Sequence, residues 1–477
     1  MRRTKILATV GPATDRPERL LKLLESGADA FRINFSHGSD EEHRSTLRRL
    51  HSVCRRVSRE AALVVDVQGP KLRIGALAAG SIRLSPGQRW TLDREPAPGN
   101  DTRTFVEIPS FARAARRGDP VLLGDGDVEL SVESAGPRAI RTRVVNGGVV
   151  RSHAGIFLPH ANLRTSVFGA KDRSDAALAL KEGFDYLALS FVGQGADVLA
   201  ARRWLDARPG GRSVGIIAKI ERAEALESID GILRVADGIM VARGDLGIEV
   251  PLERLALEQK MLVRRANARG RFSIVATQML LSMLTAPRPT RAEATDVANA
   301  VLDGADAVML SEESAVGQYP FEAVRWLDRI ARATESAFDP RPGRESLTFS
   351  EPSGAELSVA RAAVDLAENV RARAIVTPTH SGRTAQLIAA LRPGCPVLAL
   401  SSSSYVRRRL ALVRGVRSFP ALEHSDLQSL RGRSLELLGA SSLSGTGPIV
   451  LTAGYPVEGR PTNLVTLVEP HPKRSRR

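Results

Sequence analysis

Cysteine is nearly missing: Cys54 and Cys395 are the only two in 477 residues. They lie far apart and form no metal or redox spacing, which excludes a disulfide framework or a zinc module and fits a reduced, cytoplasmic setting. Lysine is also scarce, with eight among 68 basic residues; the remainder are arginine. No uninterrupted apolar run approaches the roughly 20 residues of a membrane span, so no membrane partner is expected. The basic start, Met1-Arg2-Arg3, leads into an apolar stretch that breaks at Gly11-Pro12. It reads as a first strand, not a signal peptide. The formal charge of +15 raises the question of a nucleic-acid partner. The arginines, however, are scattered through amphipathic stretches such as Arg325 to Arg332, so the charge reads as a compositional taste for arginine and no nucleic-acid role is expected. What is present is ordinary for a globular protein: 43% hydrophobic and 25% charged residues, in a length that suits roughly three domains.

Apolar strand runs alternate with helical periods over most of the chain. The strands read as Ile6–Val10, Ala30–Phe35, Leu63–Val67, Tyr186–Phe191, Val214–Ile220, Gly238–Val241, Ser273–Ala276 and Ala307–Leu310, each followed by a helical pattern. Eight such pairs predict a closed TIM (β/α)8 barrel. Between the third strand and its helix, Pro70 to Thr165 is rich in Gly, Pro and short β runs, which predicts an inserted small β-barrel lid. The barrel then occupies 1–69 and 166–339, close to the roughly 250 residues typical of the fold. After Pro340-Arg341-Pro342-Gly343 the alternation restarts, predicting a C-terminal open α/β domain over 340–477.

Two buried runs end abruptly in charge: Ile216 to Arg222, with Lys219 and Glu221, and Gly238 to Gly247, with Arg243 and Asp245. Side chains at the C-terminal ends of barrel strands face the active site, so these four are expected to converge at one rim. Two carboxylates hold a divalent cation there, and a lysine and an arginine neutralise a phosphorylated substrate. That set points to phosphoryl transfer. Gly244 and Asp245 read as opening a loop ahead of a helix at Leu252, with backbone N–H groups suited to an anion.

The residues also resemble the pyruvate kinase family over essentially the whole chain. The segments that carry the likeness are Thr4-Lys5-Ile6 with Gly11-Pro12-Ala13-Thr14, Arg32 to Gly38, Asp66 to Lys71, Ala218 to Glu221, Met240 to Gly247, Ala276 to Met279, Pro287 to Glu293 and Asp296 to Val301. The resemblance implies transfer of the phosphoryl group of phosphoenolpyruvate to ADP, giving pyruvate and ATP, in a cytoplasmic homotetramer with a mobile lid and a regulatory C-terminal domain. It implies Lys219 as the cation beside the migrating group, Glu221 and Asp245 as ligands of Mg²⁺ or Mn²⁺, and Arg32 on the transferring phosphate. Thr277 would bind substrate and help relay the proton to the enolate, Gly244 and Asp245 would face the substrate carboxylate, and Arg73, at the lid hinge, would meet the nucleotide phosphates. Arg243 fits an inter-subunit or supporting ion pair, and Lys171 a solvated helix start.

Asn34, Ser36, Asp66 and the carbonyl of Val67 match the family's potassium ligands. Many members continue Thr-Lys-Gly-Pro-Glu, whereas this chain reads Val67-Gln68-Gly69-Pro70-Lys71. Lys71 places a tethered ammonium where the glutamate calls for K⁺, so the expectation is that K⁺ is not required. In the C-terminal part, Thr377 to Thr384 joins a strand to a helix, and family members bind a sugar phosphate or AMP with this loop; Thr379, Ser381 and Thr384 are the candidate effector contacts. Ser152-His153-Ala154-Gly155 replaces the family's Ser-Lys-Lys-Gly in the lid, so no nucleotide contact is assigned there. The rival readings are another phosphoenolpyruvate barrel enzyme, a catalytically silent relative that binds metabolites, and a basic nucleic-acid binder.

Overall fold

The structure is a computed structural model that describes residues 2–70, 72–108, 115–124, 126–158, 166–337, 354–421, 427–440, 447–454 and 462–469. Eight parallel strands close a barrel: β1 (Lys5–Thr9), β2 (Ala30–Asn34), β3 (Ala62–Asp66), β12 (Tyr186–Leu189), β13 (Gly215–Ile220), β14 (Gly238–Ala242), β15 (Phe272–Ala276) and β16 (Ala307–Leu310). Their residues are nearly all buried because helices cover the outside and side chains fill the inside, which is why each strand reads as an unbroken apolar run. These are the eight strands expected: Ala307–Leu310 coincides, and the others differ by one or two residues at an end.

Between β3 and β12 lie a two-stranded and a six-stranded sheet. Strands β4 (Ser81–Leu84) to β11 (Ile156–Phe157) alternate buried and exposed residues around a core containing Trp90 and Leu130. This segment leans on the barrel rim: a Cβ placed on Gly126 would lie 3.9 Å from Ile248 Cγ1. The C-terminal sheet runs β19 (Val416–Pro420), β18 (Val397–Ser401), β17 (Ile375–Pro378), β20 (Ile449–Ala453) and β21 (Leu464–Val468), parallel except for β21 against β20.

The bottom of the barrel has a repeating closure. Asp29, Asp185, Asp237 and Asp306 each stand immediately before an even-numbered strand of the eight. Each accepts a hydrogen bond from an amide of the neighbouring odd strand: Ile6, Leu63, Ile216 and Ser273, at 2.8–3.0 Å. Each also pairs with an arginine, respectively Arg2 at 2.8 Å, Arg408 at 3.0 Å, Arg409 at 2.8 Å and Arg392 at 2.9 Å. Three of those arginines come from the C-terminal part of the chain. Leu412, from the same part, joins the apolar cluster that fills the barrel interior.

Candidate active site

The opposite rim carries the charged ends of the strands. Lys219, the fifth residue of β13, donates to Ser190 Oγ at 2.7 Å and lies 2.9 Å from Glu221 Oε1 and 3.1 Å from Asp66 Oδ1. Arg32 in β2 reaches Asp66 Oδ2 at 2.6 Å and Thr9 Oγ1 at 3.2 Å. Asp66 and Glu221 are each 1% exposed at their side chains and Lys219 11%. Burial by itself lowers the affinity of Lys219 for its proton, but the charges of Asp66 and Glu221 outweigh it and hold the ammonium above the ordinary lysine value. Asp66, against its own burial, is held below the carboxylate range by Lys219 and Arg32.

Glu221 behaves differently. Burial, with Asp245 as a like-charged neighbour, raises its pKa despite Lys219. Its Oε2 accepts the Phe191 N–H at 2.6 Å. Asp66 and Glu221 thus face Lys219 and Arg32, with Asp245 as a third carboxylate that repels Glu221. Two hard carboxylate donors whose like charges face one another fit a divalent cation.

Three non-glycine residues here adopt left-handed backbone: Phe191 (φ 57°), Thr277 (φ 68°) and Gln278 (φ 56°). Such conformations cost energy and persist where surrounding structure enforces them, often at functional rims. The turn at Thr277 aims its hydroxyl at Ala276 O, 2.6 Å away, where it also accepts the Gly244 N–H at 2.8 Å.

Several expectations need correction. Gly244 and Asp245 do not open a loop: they lie in a short helix, Arg243–Glu249, that follows β14 directly. The Gly244 N–H is therefore engaged with Thr277 and not free for an anion. Arg243 does not join Lys219; its guanidinium turns to Asp296 at 2.7 Å, Thr277 O at 2.8 Å and Met279 Sδ at 2.9 Å. Its partner belongs to the same chain, so it steadies the strand ends from behind. Lys171 is the solvated helix start expected, 57% exposed at its side chain, and it bonds Asp175 at 2.6 Å and Phe35 O at 3.2 Å.

The remaining predicted residues divide. Asn34 Oδ1 accepts the Ser36 N–H at 3.1 Å, and Val67 O accepts Ser190 Oγ–H at 2.8 Å. These oxygens adjoin Asp66, whereas Lys71 lies outside the described residues. Arg73 stands at the base of the inserted segment, donating to His153 O at 3.1 Å. Far away, Thr379 Oγ1 accepts the Gly382 N–H at 2.9 Å, Ser381 Oγ accepts the Arg383 N–H at 3.3 Å, and Thr384 meets Thr462 at 2.8 Å.

Sequence reasoning missed Ser190, which links Lys219 to the Val67 carbonyl, and the Phe191 amide that holds Glu221. The signal available was position: a hydroxyl residue ending an apolar run belongs on the same rim as the charged strand ends.

Comparison with known proteins agrees with this geometry. The model of the pyruvate kinase barrel domain matches residues 1–324, and that of the pyruvate kinase alpha/beta domain matches 357–468. A pyruvate kinase of Geobacillus stearothermophilus is 40% identical over 97% of this chain and 80% of its own length. One of Methylorubrum extorquens is 38% identical over 98% of this chain and 97% of its own. The crystal structure of a pyruvate kinase from Cryptosporidium parvum superposes with a TM-score of 0.92 at 34% identity, covering 98% of this chain and 96% of that one. With both family models spanning the barrel and the C-terminal sheet, and the lysine–carboxylate cluster at the barrel mouth, this chain belongs to the pyruvate kinase family.

Proposed function

We propose that this chain transfers the phosphoryl group of phosphoenolpyruvate to ADP and protonates the resulting enolate, releasing pyruvate and ATP. The observation that carries the reading is Lys219, a buried ammonium held charged between Asp66 and Glu221. In phosphoryl transfer the protein mainly supplies positioned charge. Lys219 would stabilise both the migrating group and the enolate, with Arg32 on the phosphoryl oxygens. Both are already fixed by Asp66, so little reorganisation accompanies the reaction. Ser190 would set the direction of the Lys219 ammonium.

Glu221 and Asp245 would hold Mg²⁺ or Mn²⁺, which supplies Lewis-acid stabilisation of phosphoryl and enolate oxygens when bound. Thr277, held in its strained turn, would present its hydroxyl to the substrate and pass a proton toward the enolate. Arg73, at the base of the inserted β segment, would meet the nucleotide phosphates as that segment covers the site. Asn34, Ser36, Asp66 and Val67 would form the monovalent-cation site, with Lys71 standing in for K⁺. Thr379, Ser381 and Thr384 would hold a sugar phosphate or AMP. The exposed Leu252 and Leu257, at 73% and 64% exposure, are consistent with homotetramer formation. No helix among the described residues is long and apolar enough to cross a membrane, in keeping with a cytoplasmic enzyme.

The test is pyruvate formation from phosphoenolpyruvate and ADP with Mg²⁺, followed by coupled oxidation of NADH. Turnover dependent on both substrates is expected; absence of turnover with retained phosphoenolpyruvate binding would favour the metabolite-binding relative.

A further inference from the structure

A cavity of about 710 Å³ lies on the seam between the barrel's outer face and the C-terminal part, sharing no lining residue with the Lys219 cluster. Its barrel side is the helix Asp40–Arg56 and the turn at Glu182-Gly183; its other side is the helix Ser404–Leu410 with Pro420. Arg48, Arg55, Arg59, Arg407 and Arg408 all line it, together with His51. Against these five cations stand two lining carboxylates, Glu60 and Glu182.

The pairing is uneven. Arg48 forks onto Glu182 at 2.8 Å through both Nε and NH2, Arg407 takes Glu60 at 2.8 Å, and Arg408 takes Asp185 from behind. Arg55 and Arg59 have no carboxylate partner among the described residues. Arg55 donates to His51 O at 3.3 Å, and Arg59 to the carbonyls of Leu24 and Ala28. Guanidinium groups from two separate parts of the chain thus face one concavity with positive charge in excess. Several planar forks arriving from different directions match a tetrahedral dianion better than a single carboxylate. The volume falls within the range of about 300–1,000 Å³ typical of small-molecule pockets, so the anion carries an organic body.

We propose that this seam is a binding site for a phosphate monoester of a small polar metabolite, separate from the catalytic rim and from the Thr379–Thr384 loop. Bound there, the ligand ties the barrel helix to the C-terminal helix through Arg48 and Arg55 on one side and Arg407 on the other.

Cys54 lines the same cavity, while Cys395, the other thiol, packs elsewhere against the C-terminal core. Both are free, and burial pushes each up to about 11, so they alkylate slowly and side by side. Iodoacetamide labelling of the full chain, read by peptide mass spectrometry, is compared with inorganic phosphate, a hexose phosphate or a nucleoside monophosphate present. A saturating monoester is expected to slow Cys54 labelling by at least about fivefold and leave Cys395 unchanged; which monoester does so identifies the body. Arg48→Ser/Arg55→Ser and, separately, Ser404→Glu should abolish the protection and keep turnover, since an exposed pair such as Arg48–Glu182 contributes little stability. No protection by any probe, equal slowing at both thiols, or protection surviving in both variants overturns the proposal.

Discussion

At the bottom of the barrel every aspartate that begins an even strand has its own strand amide and its own guanidinium. At the top, Asp66 and Glu221 share Lys219, and Asp66 also takes Arg32. The two rims are built from the same residue types, yet below each aspartate has its own guanidinium, while above two like-charged carboxylates, Glu221 and Asp245, are set against each other. Buried ions are tolerated only with complete compensation. In the lower ring each aspartate has an amide and an arginine within the protein, and the three arginines from the C-terminal part make it a clasp that seats that part. In the upper cluster the pKa of Glu221 is raised by burial and by the like charge of Asp245, whereas burial is what raises that of Asp185 below, against Arg408. A site of this kind is completed by something from solution.

The largest test of the contrast is Lys219→Met. Turnover is expected to fall about 10³-fold, as when a preorganised transition-state donor is removed, while Mn²⁺ affinity measured by titration stays close to that of the parent. Parallel losses of both would show that the lysine only assembles the cluster. Next comes Arg392→Met at the lower rim. It leaves Asp306 buried without its cation, and breaking a buried pair costs about 3 kcal/mol or more. Denaturant unfolding should show this loss with turnover per folded molecule unchanged; an activity loss without destabilisation would erase the distinction between the rims.

A smaller effect concerns pH. The folded-state pKa of Glu221 lies above its ordinary value, so just above that ordinary value the proton remains bound and competes with the metal. Mn²⁺ affinity should therefore tighten as pH rises, by at most about tenfold per unit, and level off once Glu221 is ionised. Glu221→Gln should give weaker and flatter binding. A parent profile without slope would mean Glu221 is not a ligand. The smallest expected change is on adding K⁺ to enzyme in potassium-free, sodium-free buffer with Mg²⁺: turnover should not respond, and a millimolar K⁺ requirement would refute the role assigned to Lys71.

How much of this was legible beforehand follows from how local each cause is. The strands announced themselves because helices and interior side chains bury both faces, which forces apolar runs such as Gly215–Ile220. Lys219 and Glu221 were placed on one rim by counting along a single strand. Arg243 does make the supporting ion pair expected of it, but not beside Lys219: the residues following β14 wind at once into a helix, and its guanidinium meets Asp296, 53 positions away. The lower ring was hidden for the same reason: Asp185 and Arg408 are 223 residues apart, and neither side chain carries a mark of the other.

The sequence by itself determined the eight-strand alternation, the inserted β segment, the restart of α/β pattern near the C-terminus, and the residue types at the strand ends, because these depend on periodicity and on neighbours within a few positions. Only the tertiary structure decided which charges meet: that Asp66 lies between Arg32 and Lys219, that Ser190 steers the ammonium, and that arginines from beyond residue 390 close the barrel floor. Charge pairing acts through space over a few ångströms, and distance along the chain carries almost no information about it until the barrel is closed.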